Sequence, residues 1–179
     1  FFSKCPPKLP SHNLNADMDE ILNKILLENS FEKYEVSAFS KKKYESKHNY
    51  NYWEFGDYLG IGAGAHSKLS FSNKVLRQAK FKNPESYIKN SFMGNALVEQ
   101  LKLDKKSISF EFMLNALRLT KGFNINLFTR RTGLSIKYIE ENLNKAEKQK
   151  LIYRDYKKII PTELGKKFLN DLQQIFLID

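Results

Sequence analysis

Segment 105–179 carries the pattern that most restricts the fold: short amphipathic helices followed by a strand pair. Apolar residues recur at helical spacing in "ISFEFMLNALRLTKG", which ends at Gly122, and in "NINLFTRRTG", which ends at Gly133. A third helix, "SIKYIEENLNKAEKQK", has Ser135 as its N-cap. "LIYRDYKKIIPT" alternates like a two-stranded wing, and "PTELGKKFLNDLQQIFLI" is a closing helix capped by Thr162. This order predicts a winged-helix-like module.

The earlier residues mix helix and strand signals. "LNADMDEILNKILLENSF" has helical spacing, with Asn15 or Asp17 as the N-cap, and "YEVSAF", 34–39, is a predicted strand. The polar stretch "SKKKYESKHNYNYW" is predicted to be a loop, and "YLGIGAGA", 58–65, a short strand.

Two further elements follow the glycine-rich stretch. "KLSFSNKVLRQAKF" predicts a hairpin about Ser72 and Asn73. "NPESYIKNSF" predicts a helix with Asn83 as its cap and Pro84 at its first position. The chain is therefore expected to be α/β (α+β), with a change of architecture near residue 104.

Composition narrows the class of protein without selecting a function. The 179 residues carry a net charge of +10, with 15 basic and 12 acidic side chains in 1–104 and 15 and 8 in 105–179. Acidic partners are therefore permitted: nucleic acid, anionic lipid or propionate-bearing ligands. The single cysteine, Cys5, excludes an intrachain disulfide and an intrachain cysteine cluster for iron–sulfur or zinc. No apolar run approaches the roughly 20 residues of a membrane span.

The stretch "HNYNYWEFGDYLGIGAGAH", residues 48–66, concentrates chemistry-bearing residues. Neutral imidazole is a good iron ligand, and aromatic rings can stack on a macrocycle. His48 is therefore a candidate ligand, although a lone histidine in a loop is more often structural. The glycines leave room for the close approach of a flat cofactor, or simply of another backbone. The candidate pocket residues on this predicted strand are Gly60, Ile61, Gly62, Gly64, Ala65 and His66, with His66 expected to be buried.

A winged-helix module raises nucleic-acid binding as an alternative function. Its third helix would enter the major groove and would need basic residues there. Here that helix carries Glu140, Glu141 and Glu147, which repel phosphates, while Arg130 and Arg131 lie just before it. We therefore expect no sequence-specific DNA binding. A winged-helix module can also serve protein interaction, and this is the second alternative function. No nucleophile–base pair, P-loop or HExxH motif indicates an enzyme.

The stretch "HNYNYWEFGDYLGIGAGAHS" resembles the hallmark of HemW-type haem chaperones, relatives of oxygen-independent coproporphyrinogen III oxidase in the radical SAM superfamily. The resemblance continues through "YEVSAFS", "FEFMLNALRL", "RTGL" and "PTELGKKFLNDLQQIF", and it covers nearly the whole chain. It implies that residues 1–104 are the C-terminal portion of a partial (β/α) barrel, with 58–65 a late barrel strand. It also implies that residues 105–179 form the family's winged-helix-like C-terminal domain.

The resemblance further implies haem binding and delivery to haem-requiring respiratory proteins. Full-length members hold a 4Fe–4S cluster on a CxxxCxxC motif, with S-adenosylmethionine on the unique iron. This chain has no CxxxCxxC, so neither cofactor and no radical chemistry is expected of it alone. We expect a C-terminal fragment that is cytoplasmic, able to contact a membrane surface peripherally, and marginally stable or homo-oligomeric because a half barrel has bare strand edges.

The haem-binding candidates rest on the "HNYNYW" resemblance. His48 would ligate the iron, with Asn49, Tyr50, Tyr52 and Trp53 around the ring, and four lysines would face the propionates: Lys41, Lys42, Lys43 and Lys47. His66 is a rival ligand. Cys5 is another, since its Cys-Pro dipeptide resembles a haem-regulatory motif.

Overall fold

The computed structural model describes residues 9–177, and contacts divide the chain into two compact units, residues 1–45 and 46–179. The described helices are α1 His12–Glu28, α2 Lys47–Trp53, α3 Pro84–Phe92, α4 Lys105–Ala116, α5 Ile125–Thr132, α6 Glu140–Lys148, α7 Glu163–Lys167 and α8 Leu169–Gln174. The described strands are β1 Glu32–Glu35, β2 Ala38–Ser40, β3 His66–Phe71, β4 Lys74–Lys80, β5 Leu97–Lys102, β6 Phe123–Asn124, β7 Ile152–Arg154 and β8 Lys158–Pro161. The mixed helix and sheet class predicted from the sequence is confirmed.

The first unit consists of a long helix and a hairpin. α1 begins at Ser11, whose side chain accepts a hydrogen bond from Leu14 N, so the predicted caps Asn15 and Asp17 are wrong. The predicted single strand 34–39 is also wrong. β1 and β2 pair antiparallel around a tight turn, across which Ser37 Oγ donates to a Glu35 carboxylate oxygen at 3.0 Å.

The second unit contains two three-stranded antiparallel sheets. One has the strand order β3–β4–β5, and the other has the order β6–β8–β7. Every strand pair within residues 9–177 is antiparallel. The assignment of residues 1–104 to a partial barrel stays a prediction, and its boundary with 105–179 falls inside this second unit.

Aromatic side chains join the start of the second unit to its C-terminal helices. Phe112 of α4 is fully buried, and its ring contacts Phe128 of α5 at 5.1 Å and Phe123 at 5.2 Å between centroids. Phe55, which follows α2, adds a fourth ring at 5.9 Å from Phe112. These four residues, the core aromatic cluster, place α2 against the C-terminal helices because edge-to-face rings pack densely.

Several local predictions are confirmed. The β3–β4 hairpin turns at Ser72 and Asn73, since Phe71 pairs with Lys74. Asn83 accepts from Ser86 N at the start of α3, where Pro84 is the first residue. The predicted caps also hold in the C-terminal segment: Gly133 ends α5, Ser135 caps a 3₁₀ turn before α6, and Thr162 caps α7.

Three helices differ in extent from expectation. The third helix, predicted to begin directly after Ser135, starts as the 3₁₀ turn Ile136–Ile139 before α6. α4 ends at Ala116, well before Gly122, because the chain turns twice before it enters β6. The closing helix is divided at Phe168, whose non-helical backbone separates α7 from α8.

Candidate functional site

Residues 47–53 form helix α2, so the predicted loop is wrong. Ser46 caps the helix by accepting a hydrogen bond from Asn49 N at 3.3 Å. The helix ends at Trp53 and the chain then turns, since Phe55 has a φ of +55° and Gly56 N donates to Asn51 O at 2.7 Å. A capping serine followed by seven helical residues makes His48 a helical residue rather than a loop residue.

The helical conformation brings His48 and Tyr52 onto one face. Their ring centroids are 4.7 Å apart at an interplanar angle of 77°, and Tyr52 lies 4.7 Å from Tyr58. These three residues form an aromatic ladder. His48 is exposed, and no hydrogen bond engages its imidazole within the described part of the chain. Its ring nitrogens are therefore available to a ligand.

The inner end of the ladder is held by an ion pair. Arg77 of β4 donates to the Tyr58 hydroxyl and stacks over the Tyr58 ring at 5.7 Å. The same guanidinium donates two hydrogen bonds to a Glu111 carboxylate oxygen of α4, one of them 3.0 Å long. Tyr58, Arg77 and Glu111 had no sequence signal, because they are brought together from three separate segments.

The other candidates on α2 face the protein. The guanidinium of Arg118 lies over the Trp53 ring at 4.3 Å, and the Trp53 indole nitrogen is buried with no hydrogen-bond partner among the described residues. Asn49 is half-buried and supplies the backbone N–H that Ser46 accepts. α2 therefore has an exposed side at His48 and a packed side at Trp53.

A buried lysine fixes the turn after α2. The side chain of Lys68 on β3 is 1% exposed and donates to Phe55 O and to a carboxylate oxygen of Asp57, both at 2.9 Å, and to Ser70 Oγ at 3.1 Å. Burial lowers the pKa of Lys68, and this effect exceeds the opposing attraction of Asp57. Burial also opposes ionisation of Asp57, but hydrogen bonds from Ser70 and Lys68 outweigh it and lower the pKa of that carboxyl. Sequence reasoning missed this network entirely.

The glycine-rich segment is not a strand. Gly62 and Gly64 have φ values of +104° and +71°, which interrupt a pleated strand. Its N–H groups are used elsewhere, since Gly60 N donates to Ser67 Oγ and Gly62 N to the Tyr87 hydroxyl. Within this segment, only Tyr58 forms an isolated bridge, with Lys68.

The backbone and side chains of residues 65 and 66, rather than a cofactor, lie close to Gly60. A Cβ added there would lie 2.2 Å from His66 O and 2.9 Å from the Ala65 side chain. Ile61 is 82% exposed, and His66 begins β3 in an exposed position, so the expectation that His66 is buried is wrong. Gly60, Ile61, Gly62, Gly64, Ala65 and His66 therefore form a loop over the start of β3, and their role as a cofactor pocket stays a prediction.

The remaining haem candidates lie in three places. Lys41, Lys42 and Lys43 are exposed in the first unit, and Lys47 is exposed at the start of α2 in the second. Tyr50 is half-buried on α2. Cys5 lies outside the described residues.

Strand β7 contributes a cation to two acidic residues of α6, the third helix of the predicted module. Arg154 of β7 donates to a carboxylate oxygen of Glu140 at 2.9 Å and of Glu147 at 3.0 Å. Two of the three carboxylates thought to oppose DNA are thus partly neutralised, while Glu141 stays exposed. The charge of Arg154 is therefore paired within the C-terminal segment.

The donor set of the chain does not fit an iron–sulfur cluster. A three-thiolate site needs three cysteines, and the sequence has one. Within residues 9–177, no group of three or more His, Cys, Asp or Glu side chains is placed to hold a metal ion. No helix of that part is long and apolar enough to cross a membrane.

Comparisons of sequence relate the chain to known proteins. Residues 103–168 match the HemN C-terminal domain family. The chain is 37% identical to the heme chaperone HemW of Haemophilus influenzae and 36% identical to that of Escherichia coli, and each alignment covers 99% of this chain and 46% of the relative. The heme chaperone HemW of Lactococcus lactis is 35% identical over 96% of this chain and 44% of its own length. The chain thus spans about half the length of the curated relatives it matches.

A solved structure supports the same relationship at the level of fold. The chain resembles the coproporphyrinogen III oxidase HemN from Escherichia coli, described as a radical SAM enzyme, with a TM-score of 0.69 and 17% identity. The match covers 96% of this chain and 43% of that structure. The chain is therefore a homologue of the heme chaperones named HemW over nearly its whole length, and its residues 103–168 match the HemN C-terminal domain family.

Proposed function

We propose that this chain binds haem at α2 and acts within a HemW-like haem chaperone that delivers haem to haem-requiring respiratory proteins. The names of its relatives, heme chaperone HemW, support this proposal. Haem is the cargo in this proposal, and the 4Fe–4S cluster and S-adenosylmethionine belong to the longer family members. The chain alone carries out no radical step.

The observation that carries the proposal is the exposed His48 imidazole at the outer end of the aromatic ladder. A neutral imidazole nitrogen ligates haem iron, and His48 is free to do so. Tyr52, at 4.7 Å, limits the rotation of the imidazole and offers a ring surface beside the iron. Arg77 and Glu111 hold Tyr58, so the ladder is fixed from its protein side.

Charge around α2 suits a dicarboxylate ligand. Lys47 is exposed one residue before His48, and it can pair with a propionate. Asn49 and Trp53 stabilise the helix, and we assign them a supporting role.

A haem titration followed by the Soret band tests the proposal. His48→Ala should shift the band and weaken binding about tenfold, which corresponds to a loss of about 1.4 kcal/mol. His66→Ala and Cys5→Ser serve as controls and should bind like wild type. His66 is a matched control because it is also an exposed histidine of the second unit.

Variants of Tyr52 separate ring packing from hydroxyl chemistry. Tyr52→Phe keeps the ring beside His48 and should preserve affinity, whereas Tyr52→Ala should weaken it. If His48→Ala binds haem with the wild-type spectrum, the axial role is wrong. If the wild-type chain binds no haem, the assignment of the site to this chain fails.

The wider setting is proposed as follows. Residues 1–104 correspond to the C-terminal portion of a partial barrel and 105–179 to the C-terminal domain, in a cytoplasmic protein that contacts a membrane surface and self-associates. α1 supports self-association, because Met18, Ile21 and Ile25 are each more than half exposed on it. Sedimentation equilibrium should show a concentration-dependent mass that Ile21→Glu reduces. An unchanged monomer mass for wild type would contradict this part.

A further inference from the structure

A cavity of about 680 Å³ lies in the second unit, among three segments that are distant in sequence. The tip of the β3–β4 hairpin forms one wall, the junction of β5 with α4 a second, and the end of α5 a third. Leu103 and Ile108, both more than nine-tenths buried, give it an apolar floor. No residue of α2 lines this cavity, so it is distinct from the proposed haem site.

The polar lining of the cavity is strongly basic. Five cationic side chains line it: Lys74, Lys102, Lys105, Arg130 and Arg131. The acidic residue of the lining is Asp104, whose carboxylate accepts Ser107 N at 2.8 Å as the cap of α4. This hydrogen bond lowers the pKa of Asp104, so the carboxylate is ionised but already used. None of the five cations forms an ion pair within the described residues.

The dipole of α5 explains why some of these cations, but not all of them, lie at the cavity. Arg130 and Arg131 lie in its last turn, where cations interact favourably with the helix C-terminus. Lys74, Lys102 and Lys105 come from β4, β5 and the start of α4, so that explanation does not reach them. The five like charges, brought together from four elements, repel each other, and an anion bound among them would offset this repulsion.

Arg131, a residue of this lining, has an unsatisfied donor. Its Nε is buried and has no hydrogen-bond acceptor among residues 9–177. Its positive charge also acts on Lys68, whose pKa is lowered first by burial and further by Arg77 and Arg131. Buried donors in proteins are normally paired with protein, water or ligand. The Arg131 donor and the local excess of positive charge both call for an anionic acceptor.

We propose that this cavity binds a phosphoryl-bearing anion with at least two negative charges. Guanidinium groups match phosphate oxygens with paired hydrogen bonds, and lysines add compact point charges. Arg131 would donate to the phosphoryl oxygens directly. Lys102 and Lys105, at the opposite wall, would neutralise the remaining charge. The phosphoryl group can belong to a soluble phosphate compound or to a lipid headgroup, and this binding goes beyond haem transfer.

Titration of the full chain with inorganic pyrophosphate, followed by amide NMR, tests the proposal. We expect shifts concentrated at residues 72–74, 102–105 and 130–134. Arg131→Gln should weaken binding about tenfold, and Arg131→Lys should weaken it less because the charge remains. The double variant Lys102→Gln/Lys105→Gln should weaken it by a similar factor. Both lysines are exposed, so this double variant keeps the test informative if Arg131→Gln fails to fold.

A matched control uses Lys145→Gln/Lys148→Gln, two exposed lysines of α6 outside the cavity. It should change affinity less than about twofold, because screened charges at a distance contribute little. A second arm uses vesicles of phosphatidylcholine with and without phosphatidylglycerol. Binding only to the anionic vesicles, lost in the cavity variants, would assign the phosphoryl group to a headgroup.

Two outcomes would overturn the proposal. One is equal loss of affinity in the cavity and control double variants, which would mean diffuse attraction by net charge. The other is the absence of binding both to pyrophosphate and to anionic vesicles. A haem titration of Arg131→Gln should give wild-type affinity, so failure at this cavity and failure at His48 are distinguishable.

Discussion

Replacing Phe55 with alanine should destabilise the second unit and loosen α2. Phe55 is 1% exposed, its ring lies 5.9 Å from that of Phe112, and the Lys68 ammonium lies 4.0 Å from its centroid. Truncation of a buried phenylalanine to alanine costs about 3–5 kcal/mol. The edge-on contact with Phe112 accounts for about 0.5–1.5 kcal/mol of that sum. Domains have only about 5–15 kcal/mol of stability in total.

Urea denaturation followed by circular dichroism measures this loss. In thermal unfolding the melting temperature should fall by about 6–20 °C, since 1 kcal/mol shifts it about 2–4 °C in a protein of this size. Phe92→Ala is the matched control, because Phe92 is 89% exposed on α3, and it should change stability by less than about 0.5 kcal/mol. If Phe55→Ala destabilises no more than Phe92→Ala, the proposed attachment of α2 to the core aromatic cluster is wrong.

The backbone at Phe55 gives the same prediction a second test. Its φ of +55° is unfavourable for any residue with a Cβ, by about 1–2 kcal/mol. Alanine keeps this strain and glycine removes it. Phe55→Gly should therefore be more stable than Phe55→Ala by about 1 kcal/mol. The opposite order would show that the turn changes conformation when the ring is lost.

Three other predictions concern glycine, pH and iron. Gly122 and Gly133 both have positive φ, but a Cβ at Gly122 would lie 2.1 Å from Ile159 O and one at Gly133 meets nothing within 4 Å. In urea denaturation Gly133→Ala should lower the free energy of unfolding by about 1–2 kcal/mol, and Gly122→Ala should lower it clearly more. Equal losses would contradict the close approach of Gly122 to Ile159 O. Hydrogen bonds from Ser70 and Lys68 lower the pKa of Asp57 in the folded state. Ionised Asp57 therefore stabilises the fold at pH values above the ordinary carboxyl pKa, and this contribution is lost as the pH falls through the lowered folded-state pKa. The stability difference between wild type and Asp57→Asn should therefore shrink in acid, and a pH-independent difference would refute the linkage. Anaerobic reconstitution with iron and sulfide should yield no stable 4Fe–4S cluster, because one cysteine cannot replace three, and about four irons per chain would refute this.

Elements with strong local signals were predictable from sequence. Asn83 followed by Pro84, and Gly133 after an apolar helical repeat, mark helix ends by interactions that span three or four residues. The Ser72-Asn73 turn between two alternating runs is equally local. Such signals need no knowledge of distant residues, so they survive in any fold that contains the segment.

Two of the three wrong predictions for residues 47–66 have an identifiable cause. The polar composition of α2 predicts a loop, but Ser46 supplies a cap, and Trp53 and Phe55 pack against α4 and its surroundings. Packing of one face stabilises a helix that its propensity does not favour. The glycine segment predicts a strand by alternation, yet Gly62 adopts a φ of +104°, which glycine reaches without a steric penalty, and its N–H donates to the Tyr87 hydroxyl.

The sequence alone determined the family resemblance, the mixed class, several helix caps and the lack of a three-cysteine cluster site. Only the tertiary structure decided which side of α2 is exposed, that Lys68 is buried against Asp57, and that Arg77 joins Tyr58 to Glu111. Those partners are separated by 11, 19 and 34 residues. Local periodicity describes neighbours within about one helical turn, whereas charges and rings so far apart meet only after the sheet and α4 have packed.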